Sequence, residues 1–296
     1  MKLTVCFKTI CDYSMVPAKD WQVKGQGPVD SGFARQVFNC YEESALEMAL
    51  ALADPPRAFE RHLKNRIREG RDHNAGKTPH IERTALTVDD QGADLFLRHL
   101  YAVGFDRAVR VAPDADPWFS PRAVAEIVAA WAKRSENQDL MIFGPRGGAG
   151  EHGQTGPLVA EMLGWPCLMS VAGLDFDDKG ELQVLCRTPR ACHVHAVVPP
   201  LVLVMGNAAD HDRLRIPTIK QKLSAGKQKI QVMTPADLFL TGLDPQKKDP
   251  LPVLHPVPAS TRACTLITGH SPQKKAQQLF ENYPALGRIP GVGKKS

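Results

Sequence analysis

Residues 140–157 constrain what this chain can fold into more than any other stretch. Leu140-Met141-Ile142-Phe143 is a short apolar run of strand type. It passes straight into Gly144-Pro145-Arg146-Gly147-Gly148-Ala149-Gly150-Glu151-His152-Gly153-Gln154-Thr155-Gly156-Pro157, and helix-forming residues 158–163 follow. Six glycines between a strand and a helix let backbone N–H groups approach a ligand closely, while Thr155 is placed to cap the helix and Pro157 suits its first turn. The helix N-terminus adds the positive end of the peptide dipoles, so a phosphate near residues 153–156 can be held by amides without a lysine. The spacing is neither the Walker pattern nor GxGxxG, and glycine content taken alone suits an open surface loop equally well.

The rest of the chain repeats the same rhythm. Residues 3–7 predict a strand and residues 43–53 a helix with Ala45, Met48, Ala49 and Leu52 on one face, with a long loop between them. Residues 84–88 read as a strand, 93–103 as an amphipathic helix, 108–111 as a strand and 122–133 as a helix. Alternating strands and helices predict an α/β fold, a Rossmann-like parallel sheet whose ligands bind beyond the carboxyl ends of the strands. Residues 55–79 interrupt it with Arg57, Arg61, Lys64, Arg66, Arg68 and Arg71 among few apolar residues, which predicts an exposed basic insertion. After residue 235 the chain gathers Pro245, Pro250, Pro252, Pro256 and Pro258 before a helical segment at 272–282. Prolines stop helices and cannot donate to sheet ladders, so residues 1–235 are expected to form the α/β domain and 236–296 an extended arm laid on another protein.

Composition excludes several classes. A net charge of +5 over 296 residues is too mild for a dedicated nucleic-acid binder. No apolar run approaches the roughly 18 residues of a membrane span, and lysines interrupt the amino end within the length of a signal peptide. Seven cysteines, at 6, 11, 40, 167, 186, 192 and 264, form no CxxC pair and suggest free thiols in a reducing compartment, so the expected location is cytoplasmic. Cys192, His193 and His195 invite a metal, but on a strand the two histidines share one face and the cysteine takes the other, so no metal site is expected. No Ser-His-Asp arrangement, carboxylate pair or nucleophile elbow accompanies the glycine loop, so side-chain catalysis is not expected.

The motifs resemble those of the electron-transferring flavoprotein β subunit family. Gln154-Thr155-Gly156 followed by Leu163-Gly164-Trp165-Pro166 is similar to the family's Gln-Thr-Gly loop end and Leu-x-Trp-Pro helix end, in matching spacing. Val5-Cys6-Phe7-Lys8, Asp12-Tyr13 and Asn39-Cys40-Tyr41-Glu42-Glu43 before Ala45-Leu46-Glu47 resemble the family's amino end. Ala102-Val103-Gly104-Phe105-Asp106-Arg107 and Pro200-Leu201-Val202-Leu203-Val204 before Ile216-Pro217-Thr218-Ile219 extend the likeness to about residue 235. The resemblance implies a heterodimer with an α subunit, whose FAD this chain helps enclose, and redox chemistry that belongs to that flavin. It implies an adenine-nucleotide pocket of Cys6, Asn39, Cys40, Tyr41, Glu42, Val88, Gly144, Arg146, Gly147, Gly148, Ala149, Gly150, Glu151, His152, Gly153, Gln154 and Thr155. That pocket holds AMP in simple carriers and a second FAD in electron-bifurcating ones. Asn39 can offer a donor and an acceptor to a base or ribose, or can cap the helix that follows it. Tyr13 and Tyr41 are implied against the partner's flavin, and Ile216, flanked by Arg213, Arg215 and Lys220, as the anchor for a transient flavin-dependent dehydrogenase. Arg146-Gly147-Gly148-Ala149-Gly150-Glu151 departs from the family's Gln-Ala-x-Asp-x-Asp, exchanging carboxylate for guanidinium and leaving the nucleotide's identity open. A stand-alone nucleotide-binding regulatory module of the same α/β type is the reading of another class.

Overall fold

Strand β1 (Lys2–Cys6) shows why the sheet is covered on both sides. Its side chains alternate in direction, and both sets are buried: Leu3 and Val5 join one apolar cluster, and Cys6 joins another. The structure, a computed structural model, describes residues 1–17, 33–52, 80–113, 120–148, 152–177, 179–206, 213–240 and 265–288. The expected basic insertion at 55–79 lies outside them, as do Pro245, Pro250, Pro252, Pro256 and Pro258 of the expected arm.

The remaining strands are β2 (Thr9–Cys11), β3 (Gln36–Phe38), β4 (Glu82–Val88), β5 (Arg107–Val111), β6 (Leu140–Phe143), β7 (Cys167–Phe176), β8 (Leu182–Arg187), β9 (Cys192–Val197), β10 (Leu201–Met205) and β11 (Gln231–Met233). Nine of them form one sheet in the order β11-β5-β4-β1-β6-β10-β7-β8-β9, parallel from β11 to β7 and antiparallel from β7 to β9. The expected Rossmann-like sheet is therefore present, with an antiparallel ribbon added at one edge. Strands β2 and β3 pair separately as an antiparallel ribbon within what the sequence suggested was a long loop.

Helices α1 (Cys40–Ala51) and α2 (Asp94–Val103) cover one face, where Leu46, Leu50, Leu97 and Leu100 meet Leu3, Val5, Leu140, Ile142, Leu201 and Leu203. Helices α3 (Pro121–Arg134) and α4 (Thr155–Leu163) cover the other, where Ile127, Trp131 and Val159 meet Met141, Phe143, Val202 and Val204. Adjacent residues of β6 and β10 thus enter opposite cores, the pattern of a strand buried on both faces. Three of these helices have a legible boundary. Ser120 accepts from the Ala123 amide with Pro121 at the first position of α3, and Gly104 and Gly164 close α2 and α4 in left-handed conformation. The expected cap at Thr155 is not observed: Thr155 is already helical, Gln154 occupies the cap position, and its side chain makes no cap bond.

The chain divides into two units, Met1–Pro250 and Leu251–Ser296. Beyond residue 235 the first unit still contains a 3-10 turn, Ala236–Leu238, whose Leu238 is buried in the α3 core. In the second unit, α6 (Pro272–Asn282) is capped by Ser271 and followed by a 3-10 turn, Pro284–Arg288.

Candidate functional site

The order β5-β4-β1-β6-β10 reverses the direction of winding between β1 and β6, and the loops leaving those neighbours diverge there. A cleft of about 1100 Å³ of space, open to solvent, lies at this point. Its walls are the chain following β1 (Cys6 to Thr9), the end of β4 (Leu86, Val88, Asp89), the start of α3 and the glycine loop through Gly156.

Of the residues expected at a nucleotide pocket, Cys6, Glu42, Val88, Gly144, Arg146, Gly147, His152, Gly153, Gln154 and Thr155 line this cleft. Ala149, Gly150 and Glu151 lie outside the described residues. Asn39 is wholly buried behind the wall: its Nδ2 donates to the Arg146 carbonyl at 3.0 Å, and its Oδ1 accepts from the Gly148 amide at 3.1 Å. It makes no side-chain cap bond, so its amide shapes the loop from beneath. Tyr41 sits under the Arg146 guanidinium, 5.0 Å from its ring centre, and Cys40 is exposed. Tyr13 lies in a 3-10 turn next to β2, and partial burial raises its pKa.

Loop geometry depends on glycine at two positions. Gly153 has φ +62, and a Cβ there would fall 2.8 Å from the Pro145 carbonyl oxygen; at Gly156 a Cβ would meet Val204 at 2.8 Å. Gly153 therefore lets the loop fold against its own start, and Gly156 lets α4 lie close on β10. The first helical bond of α4 runs from the Leu158 amide to the Gln154 carbonyl, so the amides of Thr155 and Gly156 precede any intrahelical acceptor.

A buried carboxyl and a half-buried one give the cleft its electrostatics. Burial pushes Glu42 up to about 8, against the opposing pull of Lys8 and of the Asn39 hydrogen bond. Burial also raises Asp89, although Thr9 Oγ1 donates to its Oδ2 at 2.8 Å. The Cys6 thiol is pushed up by burial first and by the charge of Glu42 second. Phe7, Lys8, Thr9, Asp89, Ser120 and Pro121 line the cleft without having been predicted. The available signal was position, since Lys8, Thr9 and Asp89 follow the carboxyl ends of strands.

Ile216 lies elsewhere, 88% exposed, beside Ile219 at 78% and Leu223 at 70% on the short helix α5 (Ile219–Ala225). Its neighbour Arg215 makes a two-pronged ion pair with Glu47, through Nη2 to Oε1 at 2.7 Å and Nε to Oε2 at 3.2 Å. That pair fastens the exposed segment to α1. His193 and His195 share one side of the edge strand β9, with ring centres 6.2 Å apart, and Cys192 is exposed. No helix among the described residues is long and apolar enough to cross a membrane.

A doubly wound, mostly parallel sheet with a glycine loop at its topological switch point defines a Rossmann-like α/β protein. Residues 67–238 match the model of the electron transfer flavoprotein domain family. The chain is 31% identical over 289 residues to YgcR of Escherichia coli (strain K12), provisionally named an electron transfer flavoprotein subunit, covering 96% of this chain and 97% of that one. It is 33% identical over 169 residues to the mitochondrial electron transfer flavoprotein subunit beta of Oryza sativa subsp. indica, covering 56% of each. Against the electron transfer flavoprotein subunit beta of Bacillus subtilis (strain 168) the identity is 25% over 263 residues, covering 88% and 85%. The chain belongs to the electron transfer flavoprotein β subunit family.

Proposed function

We propose that this chain is the β subunit of a heterodimeric electron transfer flavoprotein, completing the FAD site of an α subunit and passing electrons between flavin dehydrogenases and an acceptor. The observation that carries the proposal is the cleft at the β1/β6 switch point, where a glycine loop closed by Gly153 meets the first amides of α4. A phosphate fits that donor set, and Arg146, Lys8 and His152 bring cationic or protonatable groups to the same walls. An adenine nucleotide, AMP or a second FAD, would occupy it, with Cys6, Glu42, Val88 and residues 144–155 around it and Asn39 holding the loop in shape.

The flavin supplies the redox chemistry when bound, and this chain's own residues position and enclose it. Tyr13 and Tyr41 would face the shared flavin from this subunit. Ile216, exposed and fastened through Arg215, would seat transiently on a flavin-dependent dehydrogenase, with Arg213 and Lys220 steering the encounter. A cytoplasmic location accords with this role. Purifying the chain with its α subunit and measuring FAD and AMP per dimer tests the proposal. One FAD with one AMP supports a simple carrier, two FAD a bifurcating one, and a nucleotide-saturated monomer without affinity for an α subunit would instead favour a stand-alone regulatory module.

A further inference from the structure

Helix α1 carries two buried acids, and they are treated differently. Glu47, 9% exposed, receives the Arg215 guanidinium and also the Arg215 amide at 2.9 Å. Glu42, 8% exposed, lines the cleft, and its Oε2 has no hydrogen-bond partner among the described residues. An unsatisfied buried carboxyl oxygen costs desolvation without compensation, and the cost is greatest when the group is charged.

The surroundings indicate what a charge there would face. The Glu42 carboxyl lies against Gly144, where a Cβ would approach it to 3.0 Å, and Gly153 packs on the neighbouring Pro145 carbonyl. The acid therefore lines the same cleft as the part of the loop best suited to a phosphate. A buried carboxylate and a phosphate in the same cleft repel, and burial weakens the screening of that repulsion, whereas a neutral carboxylic acid is free of it. We propose that Glu42 determines which ligand form this cleft accepts: its carboxyl stays protonated beside the phosphate of the nucleotide, so that the nucleotide and a proton bind together. The inference rests on the nucleotide reading above.

The raised proton affinity of Glu42 supplies the acid form near neutral pH. Other groups facing the cleft also bear on its charge: Cys6 and Lys8 after β1, Asp89 after β4, and Arg146 and His152 in the loop. Lys8 opposes protonation, while burial favours it and is the larger influence. The sign is fixed by the raised value: binding is strongest below about pH 8 and weakens as pH rises above it, because the free protein must then take up a proton.

Calorimetric titration of AMP, with FAD in a parallel series, into the nucleotide-stripped full chain tests this, from about pH 6.5 to about pH 9.5 in paired buffers of different ionisation enthalpy. The expected result is affinity falling up to about tenfold per pH unit at the alkaline end, with uptake of about one proton. Glu42→Gln, which keeps the shape and an N–H donor, should flatten that slope and abolish the uptake. Adenosine, lacking phosphate, should not show the slope in the wild-type protein. A flat wild-type profile without proton uptake, an unchanged slope in Glu42→Gln or the same slope with adenosine would overturn the proposal while leaving the nucleotide site standing. Failure of AMP and FAD to bind at any pH would overturn the nucleotide reading and this inference together.

Discussion

Glu42 and Ile216 belong to the same unit, and each is on the unexpected side of it. At the cleft an acid is buried with an oxygen unmatched, and along residues 216–223 three large aliphatic side chains stand in solvent. The core between them obeys the ordinary rule: Leu3, Leu46, Leu97 and Ile142 are buried completely, and the Arg110 guanidinium beneath it is held by Asp94 at 2.7 Å. The two exceptions run in opposite senses and are built to different standards. The cleft is rigidly framed by parallel strands, the Asn39 tether and glycine-dependent packing. The Ile216 segment is fastened to α1 by the Arg215–Glu47 pair and to α2 by Arg98, which donates to the Gly226 carbonyl at 3.0 Å, and it leaves Ile216, Ile219 and Leu223 exposed. A small polar ligand needs fixed donors, whereas a transient protein partner needs exposed apolar area with charge around it.

The largest effect expected is that of removing the carboxyl-terminal unit, which tests whether the first unit suffices for docking. A chain ending at Pro250 should keep the circular dichroism of the α/β unit but lose about a hundredfold in affinity for the α subunit, about 2.7 kcal/mol. Equal co-purification of the full and shortened chains would remove the carboxyl-terminal unit from docking.

Gly153→Val tests the rigid side of the comparison. A β-branched residue at φ +62, with its Cβ 2.8 Å from a carbonyl oxygen, must displace the loop. Retained nucleotide should fall about tenfold or more, equivalent to about 1.4 kcal/mol, with the fold intact by circular dichroism. Undiminished nucleotide content would show that the loop does not hold the ligand.

Ile216→Ala tests the exposed side. Electron delivery to or from the dehydrogenase should slow about fivefold, near 1 kcal/mol, while stability stays within about 0.5 kcal/mol. A loss of about 2–5 kcal/mol in urea unfolding is the signature of a core residue and would place Ile216 inside an assembly already formed.

Arg215→Lys is the finest probe, since it keeps the charge and removes the two-pronged geometry. With the arginine about one-third exposed, the loss in stability should be small, about 0.5 kcal/mol, accompanied by a modest slowing of electron delivery. Slowing as great as in Ile216→Ala, without a change in stability, would mean that Arg215 contacts the partner directly.

Much of the fold was legible from period and punctuation. The apolar run at residues 140–143 predicted β6 to the residue, and residues 272–282 predicted α6 in the same way. Helix α1 begins three residues before its predicted start, because Asn39 holds the cap position and Cys40, Tyr41 and Glu42 form the first turn. The β2–β3 ribbon was not legible, since three-residue strands have too few side chains to show an alternation. Strand β9 was read only as the strand that would carry Cys192, His193 and His195, without bounds: from Cys192 to Ala196 both faces are exposed, so burial imposes no pattern on its sequence.

The sequence by itself determined that this is a parallel α/β protein with a glycine loop between a strand and a helix, because periodicity and backbone freedom are local properties written residue by residue. It also carried the motifs of its family at their proper spacing. Only the tertiary structure decided which polar groups share a cleft. Cys6, Glu42, Asp89 and Gly144 are separated by long stretches of chain, and they converge because the winding reverses between β1 and β6. The same holds for the two acids of α1, which are five residues apart and alike in composition. Glu47 finds Arg215 across 168 positions of sequence, while Glu42 faces a cleft. Helix propensity and amphipathic spacing cannot distinguish them, because solvation and pairing depend on what the fold brings to each side chain.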